Sequence, residues 1–262
     1  MTTWVMLRGL MRDERHWQGF VERLIAAGER VITVDLPGNG RLTSELSPTS
    51  IEAYCDSVWG QVLPHINPFR GKSVVLIGLS MGGMTALALA SRYPDRIRQV
   101  VVLNSSAANL SPWYRRFRLL PLLRAMLGGV RLKLTQLGSG LSLVEACVLQ
   151  YTSLYHGDNL ALIANWSRWR DERHTGLCNG VRQLIACARF QAPSLSSIPV
   201  TVICAAEDRL ADPRCSRALA SFYHTQALVL PSCGHDISLD APEALQASLQ
   251  ANIKDDGGQS SH

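Results

Sequence analysis

Apolar residues along the chain gather in short runs separated by longer stretches of helical spacing. The runs at 4–7, 30–34, 73–79, 99–103, 200–205 and 227–230 are apolar on consecutive rather than alternate positions. Consecutive apolar positions are what a strand needs when both of its faces are covered, as in a parallel sheet. Between these runs, 16–27, 51–63, 81–93, 212–223 and 241–253 read as helices, with Pro94 and Pro242 at helix ends. Strand and helix in alternation predict an α/β protein with a doubly wound, mostly parallel sheet.

The alternation stops between 107 and 190, where no strand is visible and several helices are separated at Pro112, Pro121, Gly128-Gly129, 138–140 and Gly157. So long a stretch is no connecting loop. It reads as an inserted helical cap, with 1–106 and 191–254 forming the core and the polar 255–262 a disordered tail. Charge marks the insertion as distinct: 107–190 hold 11 Lys/Arg against 4 Asp/Glu, whereas the rest of the chain holds 15 against 17. Residues 73–91 carry no charge and contain a G-x-x-x-G at Gly78 and Gly82, a pattern also met in membrane helices. Their β-branched start, glycine cluster and alanine-leucine end are better explained by strand, sharp turn and buried helix, so no transmembrane segment is expected.

With 262 residues, 47% of them hydrophobic and 18% charged, the chain can bury a full core and is not of disordered composition. Seven scattered cysteines without a C-x-x-C argue against a disulfide framework or a structural zinc site. Residues 1–10 lack the apolar run of a secretion signal, and a reducing, cytoplasmic setting is expected. No metal and no cofactor is implied.

Chemistry enters at Gly78-Leu79-Ser80-Met81-Gly82, which follows a strand and precedes a helix. Glycine is common enough that G-x-S-x-G arises by chance in roughly one chain of this length in ten. The context gives it weight: a sharp strand-to-helix turn exposes a serine oxygen and aims a helix N-terminus at the reaction site. A serine nucleophile needs a base, and the base an orienting carboxylate. Asp208 and His235 come in that order, each just past a predicted strand. Asp212, before Pro213, reads as a helix cap; His65, His156, His174, His224 and His262 read as structural. The oxyanion donors are expected to be the backbone N–H groups of Met81 and of Leu10, in the loop after the first strand.

These residues resemble the α/β-hydrolase superfamily, from about Trp4 to Ile253. The segment Val34-Asp35-Leu36-Pro37-Gly38-Asn39-Gly40 is similar to the family's D-x-P-G-x-G loop. Asp208-Arg209-Leu210 with Pro213 resembles its acid segment, and Gly234-His235 with Pro242-Glu243 its histidine segment. The resemblance implies an eight-stranded, mostly parallel sheet, of which this chain starts at the third strand, with a cap between the sixth and seventh. It implies a small carboxylesterase-like enzyme. The menaquinone-pathway synthase of lyase type carries an arginine where this chain has Met84, and the dehalogenases and most epoxide hydrolases use an aspartate where it has Ser80. Relatives usually have His-Gly where Arg8-Gly9 stands here, so Arg8 either forms a salt bridge or faces the pocket.

The function so read is a serine hydrolase cleaving carboxylic esters or thioesters through an acyl-enzyme. A cofactor-free lyase on the same triad and a ligand-binding protein with little turnover are the alternatives. Arg115, Arg116, Arg118 and Arg124, interleaved with Trp113, Phe117, Leu119 and Leu120, read as a solvated helix face over an apolar one. The sharper reading is attraction of an acidic carrier protein or an anionic acyl donor; nucleic acid is not expected, as no binding motif accompanies the charge. Arg8, Trp113 and Trp166 are the candidate substrate contacts.

Overall fold

The computed structural model describes residues 2–67, 71–136, 138 and 140–253. The order along the chain is β1 (Thr3–Leu7), α1 (Gly19–Ala26), β2 (Val31–Val34), α2 (Cys55–Val62), β3 (Val74–Leu79), α3 (Met81–Arg92) and β4 (Ile97–Leu103). Five helices then intervene: α4 (Trp113–Arg116), α5 (Leu119–Thr135), α6 (Leu143–Thr152), α7 (Leu160–Arg173) and α8 (Leu177–Arg189). The chain ends with β5 (Val200–Ala205), α9 (Pro213–Phe222), β6 (Ala227–Leu230), α10 (Ile237–Asp240) and α11 (Pro242–Asn252). The six strands form one sheet, every pair parallel, in the order β2-β1-β3-β4-β5-β6. This is six strands, all parallel, among the described residues, rather than the eight that the resemblance implies for its family.

Both faces of the sheet's centre are covered, which is why β3 and most of β1, β4 and β5 are apolar on consecutive positions. In β3, Val74 and Leu76 pack with α2, α3 and α9 on one face, while Val75 and Ile77 pack with α1 and α11 on the other. All six residues of β3 are buried. At about 1.5–3 kcal/mol for each large apolar side chain taken out of water, this strand alone is a substantial part of the folding free energy. A charge at Val75, which is 0% exposed, has no partner on either face and breaks it.

The helix expected over 16–27 is interrupted. A 3-10 turn covers Glu14–Trp17, and Gln18 has a φ of 50° before α1 starts at Gly19. Residues 73–91 divide into β3 and α3, and no helix among the described residues is long and apolar enough to cross a membrane. Asp212 does cap α9, its carboxylate accepting from the Arg214 amide.

The helical face expected around Arg115 to Arg124 holds only in part: Arg124 is exposed as expected, but much of the apolar side is uncovered and Arg116 is buried. Leu119, Leu120, Leu123 and Leu127 are 54%, 60%, 56% and 72% exposed, whereas Arg116 is 3% exposed. The Arg116 guanidinium turns inward because carbonyls at the C-terminal end of α8, Cys187 and Ala188, and the Ser106 hydroxyl accept its N–H groups. A helix end with unpaired carbonyls favours a cation. The tail at 255–262 lies outside the described residues.

Candidate active site

The chain runs from β1 outward to β2 and then crosses to β3 on the other side of β1, so the sheet changes direction between β1 and β3. In open α/β sheets a crevice opens at the carboxyl ends of the strands at such a point. Leu10 follows β1 there and Ser80 follows β3. Ser80 has a φ of 56°, a left-handed backbone that costs a non-glycine residue roughly 1–3 kcal/mol. The surroundings impose it: a Cβ on Gly78 would overlap the Gly82 carbonyl, and one on Gly82 would overlap the Leu7 carbonyl. The Ser80 amide donates to the Leu103 carbonyl at 2.8 Å, and the Ser105 hydroxyl donates to the Ser80 carbonyl at 2.8 Å. Although Ser80 stands at the N-cap of α3, its hydroxyl caps nothing. It faces a cavity of about 280 Å³.

His235 lines the same cavity. Its Nδ1 lies 2.7 Å from Asp208 Oδ2, and both side chains are almost fully buried. The other Asp208 oxygen accepts from the Leu210 amide at 2.8 Å and the Ala211 amide at 3.0 Å. The carboxylate is thereby fixed at both oxygens, and it holds the imidazole with Nδ1 toward the acid and Nε2 outward. Arg118, expected on a solvated face, donates instead to the Asp208 carbonyl at 2.6 Å.

Arg8 both lines the cavity and forms a salt bridge. Its Nη1 and Nη2 donate to the two oxygens of Asp236 at 3.1 and 2.7 Å, and its guanidinium lies 4.8 Å from the Trp17 ring centre. Burial alone would raise the Asp236 carboxyl, but the charge and hydrogen bonds of Arg8, with Ser238, hold it below the usual carboxylate range. Because Asp236 follows His235 and Arg8 precedes Gly9 and Leu10, this pair ties the histidine loop to the loop carrying the expected oxyanion donor.

Two candidate substrate contacts are not at the cavity wall. Trp113 is 62% exposed and packs edge-on to Tyr114. Trp166 is 1% exposed; it lies behind Arg12, whose guanidinium sits 5.0 Å from its ring centre. Trp166 instead lines a smaller neighbouring cavity. The rest of the Ser80 cavity is mostly apolar, with Leu119, Leu122, Val144 and Val148 from α5 and α6 closing it.

One residue that sequence reasoning passed over is central. Asn104, at φ 44° just past β4, donates to the His235 carbonyl at 2.8 Å and accepts from the Ala205 amide at 2.8 Å. It holds the histidine loop against the ends of β4 and β5. An Asn directly after an apolar run was the available signal, because Asn tolerates the left-handed region.

A family model described as the α/β hydrolase family matches residues 4–247. The chain belongs to the α/β hydrolase family. Over 122 residues it is 32% identical to the biotin biosynthesis bifunctional protein BioHC of Teredinibacter turnerae, a match covering 42% of this chain and 20% of that protein. Over 112 residues it is 34% identical to a 2-hydroxy-6-oxononadienedioate/2-hydroxy-6-oxononatrienedioate hydrolase of Cupriavidus pinatubonensis, covering 42% of this chain and 38% of that one. The match thus spans less than half the length of either relative. Among solved structures, a thermophilic esterase from Thermogutta terrifontis superposes with a TM-score of 0.70 at 22% identity, over 96% of this chain and 89% of that one. At that identity the likeness speaks for the fold.

Proposed function

We propose that this α/β hydrolase is a serine hydrolase cleaving carboxylic esters or thioesters through an acyl-enzyme. The observation that carries the reading is the His235–Asp208 pair opening onto the cavity that Ser80 lines from a strained turn. His235 Nε2 takes the Ser80 proton as the hydroxyl oxygen attacks the acyl carbon, and returns it to the departing alcohol or thiol. The Asp208 carboxylate stabilises the imidazolium formed between those steps. The Met81 amide, in the first turn of α3 with no intrahelical acceptor, and the Leu10 amide receive the oxyanion. Water activated by the same imidazole then releases the acid. Hydrolase activity in the name of a sequence relative supports this class of reaction.

The reading extends to the rest of the chain. Residues 107–190 act as a cap whose α5 and α6 close an apolar site, which suits a hydrophobic acyl group. The cap's positive excess favours an acidic carrier protein or an anionic acyl donor as partner, and the seven free cysteines suit a reducing, cytoplasmic setting. The test is a panel of esters and thioesters of varied acyl length, with acyl-enzyme trapped in mass spectra. Ser80→Ala is expected to cut kcat on the order of 10⁴-fold or more while leaving the melting curve in place. Near-normal turnover by that variant refutes the assignment, and a single turnover without further product favours a binding protein.

A further inference from the structure

Three charged side chains, Arg12, Glu145 and Arg170, line the active-site cavity and also a smaller polar cavity beside it, so they form the wall between the two. Glu145 is buried and each of its oxygens faces a guanidinium: Oε2 lies 2.8 Å from Arg12 Nη1, and Oε1 lies 3.5 Å from Arg170 Nη1. Among the described residues no other carboxylate comes within ion-pair distance of either arginine. Neighbouring charges do not cancel the excess. Asp13 is held by Arg15 and His16, and Asp236 by Arg8. The wall therefore carries two positive charges and one negative, facing a cavity that is otherwise mostly apolar. The Arg170 side chain is 28% exposed and reaches one acceptor, at the limit of hydrogen-bond distance, leaving most of its N–H donors open.

A charge turned toward an apolar cavity is costly unless an anion meets it there. The planar fork of a guanidinium matches a carboxylate. This wall's one surplus positive charge suits a monoanion better than a phosphate, which carries about −1.5 to −2. Arg116, which also lines the cavity without a carboxylate partner among the described residues, already donates to Ser106, Cys187 and Ala188. The apolar remainder of the cavity requires that the carboxylate be joined to a hydrocarbon chain. Arg12 and Arg170 line the same cavity as Ser80 and Leu10, about 280 Å³ in volume. At roughly 30 Å³ per water-sized group, that holds a chain of on the order of ten non-hydrogen atoms, the anion and the acyl carbon included.

We infer that Arg12 and Arg170 form a carboxylate-binding site, and that the substrates are half-esters of dicarboxylic acids on the order of six carbons long. This rests on the serine hydrolase reading for the reaction, but not for the binding. Glu145 holds the two guanidiniums in place and competes with the incoming carboxylate for them.

The experiment compares monomethyl and dimethyl adipate at pH 7.5. Wild type is expected to favour the half-ester by about tenfold in kcat/KM, the value of one charged hydrogen-bonded contact. Arg170→Gln and, separately, Arg12→Gln are expected to lose that preference through KM, and Arg92→Gln, exposed at the far end of α3, to keep it. Glu145→Gln is expected to shift KM for the half-ester the other way, downward, because it removes the internal competitor. Calorimetry of monomethyl adipate on Ser80→Ala reads binding without turnover, and melting curves verify that each variant is folded. Equal affinity for the two esters overturns the proposal, as does movement of Glu145→Gln and Arg170→Gln in the same direction. Should Ser80→Ala retain turnover, the hydrolase reading fails while these binding measurements still decide the site.

Discussion

Replacing Asp236 by Asn strands the Arg8 guanidinium in a site where both partners are 3% exposed. Two charge-assisted hydrogen bonds, at 3.1 and 2.7 Å, become at best one neutral contact. Residual contacts to Ser238, at 3.3 Å, and to the Trp17 ring cannot neutralise the charge. Removing one member of a buried ion pair costs about 3–5 kcal/mol, most of it the desolvation of the member left behind. At about 2–4 °C per kcal/mol for a domain of this size, the melting temperature is expected to fall by roughly 6–20 °C. The double variant Arg8→Met/Asp236→Leu removes both charges and is expected to recover most of that loss, since a well-packed apolar pair often equals a buried ion pair. Activity distinguishes stability from positioning. The double variant still lacks the tie between the Leu10 loop and the His235 loop, so its kcat on the best ester is expected to stay about tenfold or more below wild type. The sign with pH also follows. The Asp236 carboxyl is held below its ordinary value by Arg8 and Ser238 against its burial. Its contribution is therefore present above the unfolded carboxyl pKa of about 4 and is lost as pH falls through the folded value. Urea midpoints and thermal melts at pH 7 and at about pH 3.5 measure this. A drop below about 2 °C in Asp236→Asn at pH 7, or a double variant no more stable than the single, refutes the reasoning.

Two further outcomes follow from local geometry. The buried His16, held between Asp13 and the rings of Trp166 and Trp169, has its pKa lowered, first by desolvation and then by nearby arginines. The unfolded chain binds its proton first, so the fold loses stability as pH drops below about 6.5, at up to ~1.4 kcal/mol per pH unit; the urea midpoint of His16→Gln should lack this slope. Gly82→Ala, whose Cβ would overlap the Leu7 carbonyl, is expected to abolish soluble expression or activity. Gly60→Ala, inside α2 with nothing within 4 Å of the new methyl group, is expected to raise stability by ~0.5–1 kcal/mol in a chemical melt.

Much of the frame and the order of the candidate catalytic residues is visible along the chain because each depends on near neighbours. The consecutive apolar residues of β3 announce a strand buried on both faces, and Gly78, Gly82 and Gly83 announce a turn too tight for side chains. The break at Gln18 is not visible, because the apolar periodicity of 16–27 runs through a residue whose φ is set by packing. Arg116 and Trp113 exchange their expected places for a similar reason. Periodicity states that a helix has two faces but not which neighbour each face meets, and Arg116 turns inward toward the end of α8, far along the chain.

What the sequence by itself determined is therefore local: where strands and helices form, where the backbone must turn sharply, and that a serine, an aspartate and a histidine each follow a strand. The tertiary structure alone decided which distant groups share one wall. Arg8 meets Asp236 across 228 positions, Asn104 reaches His235 across 131, and Arg12 and Arg170 converge on Glu145. The physical reason is burial. Once removed from water a charge must find a partner wherever the fold brings one, and no spacing along the chain encodes that choice.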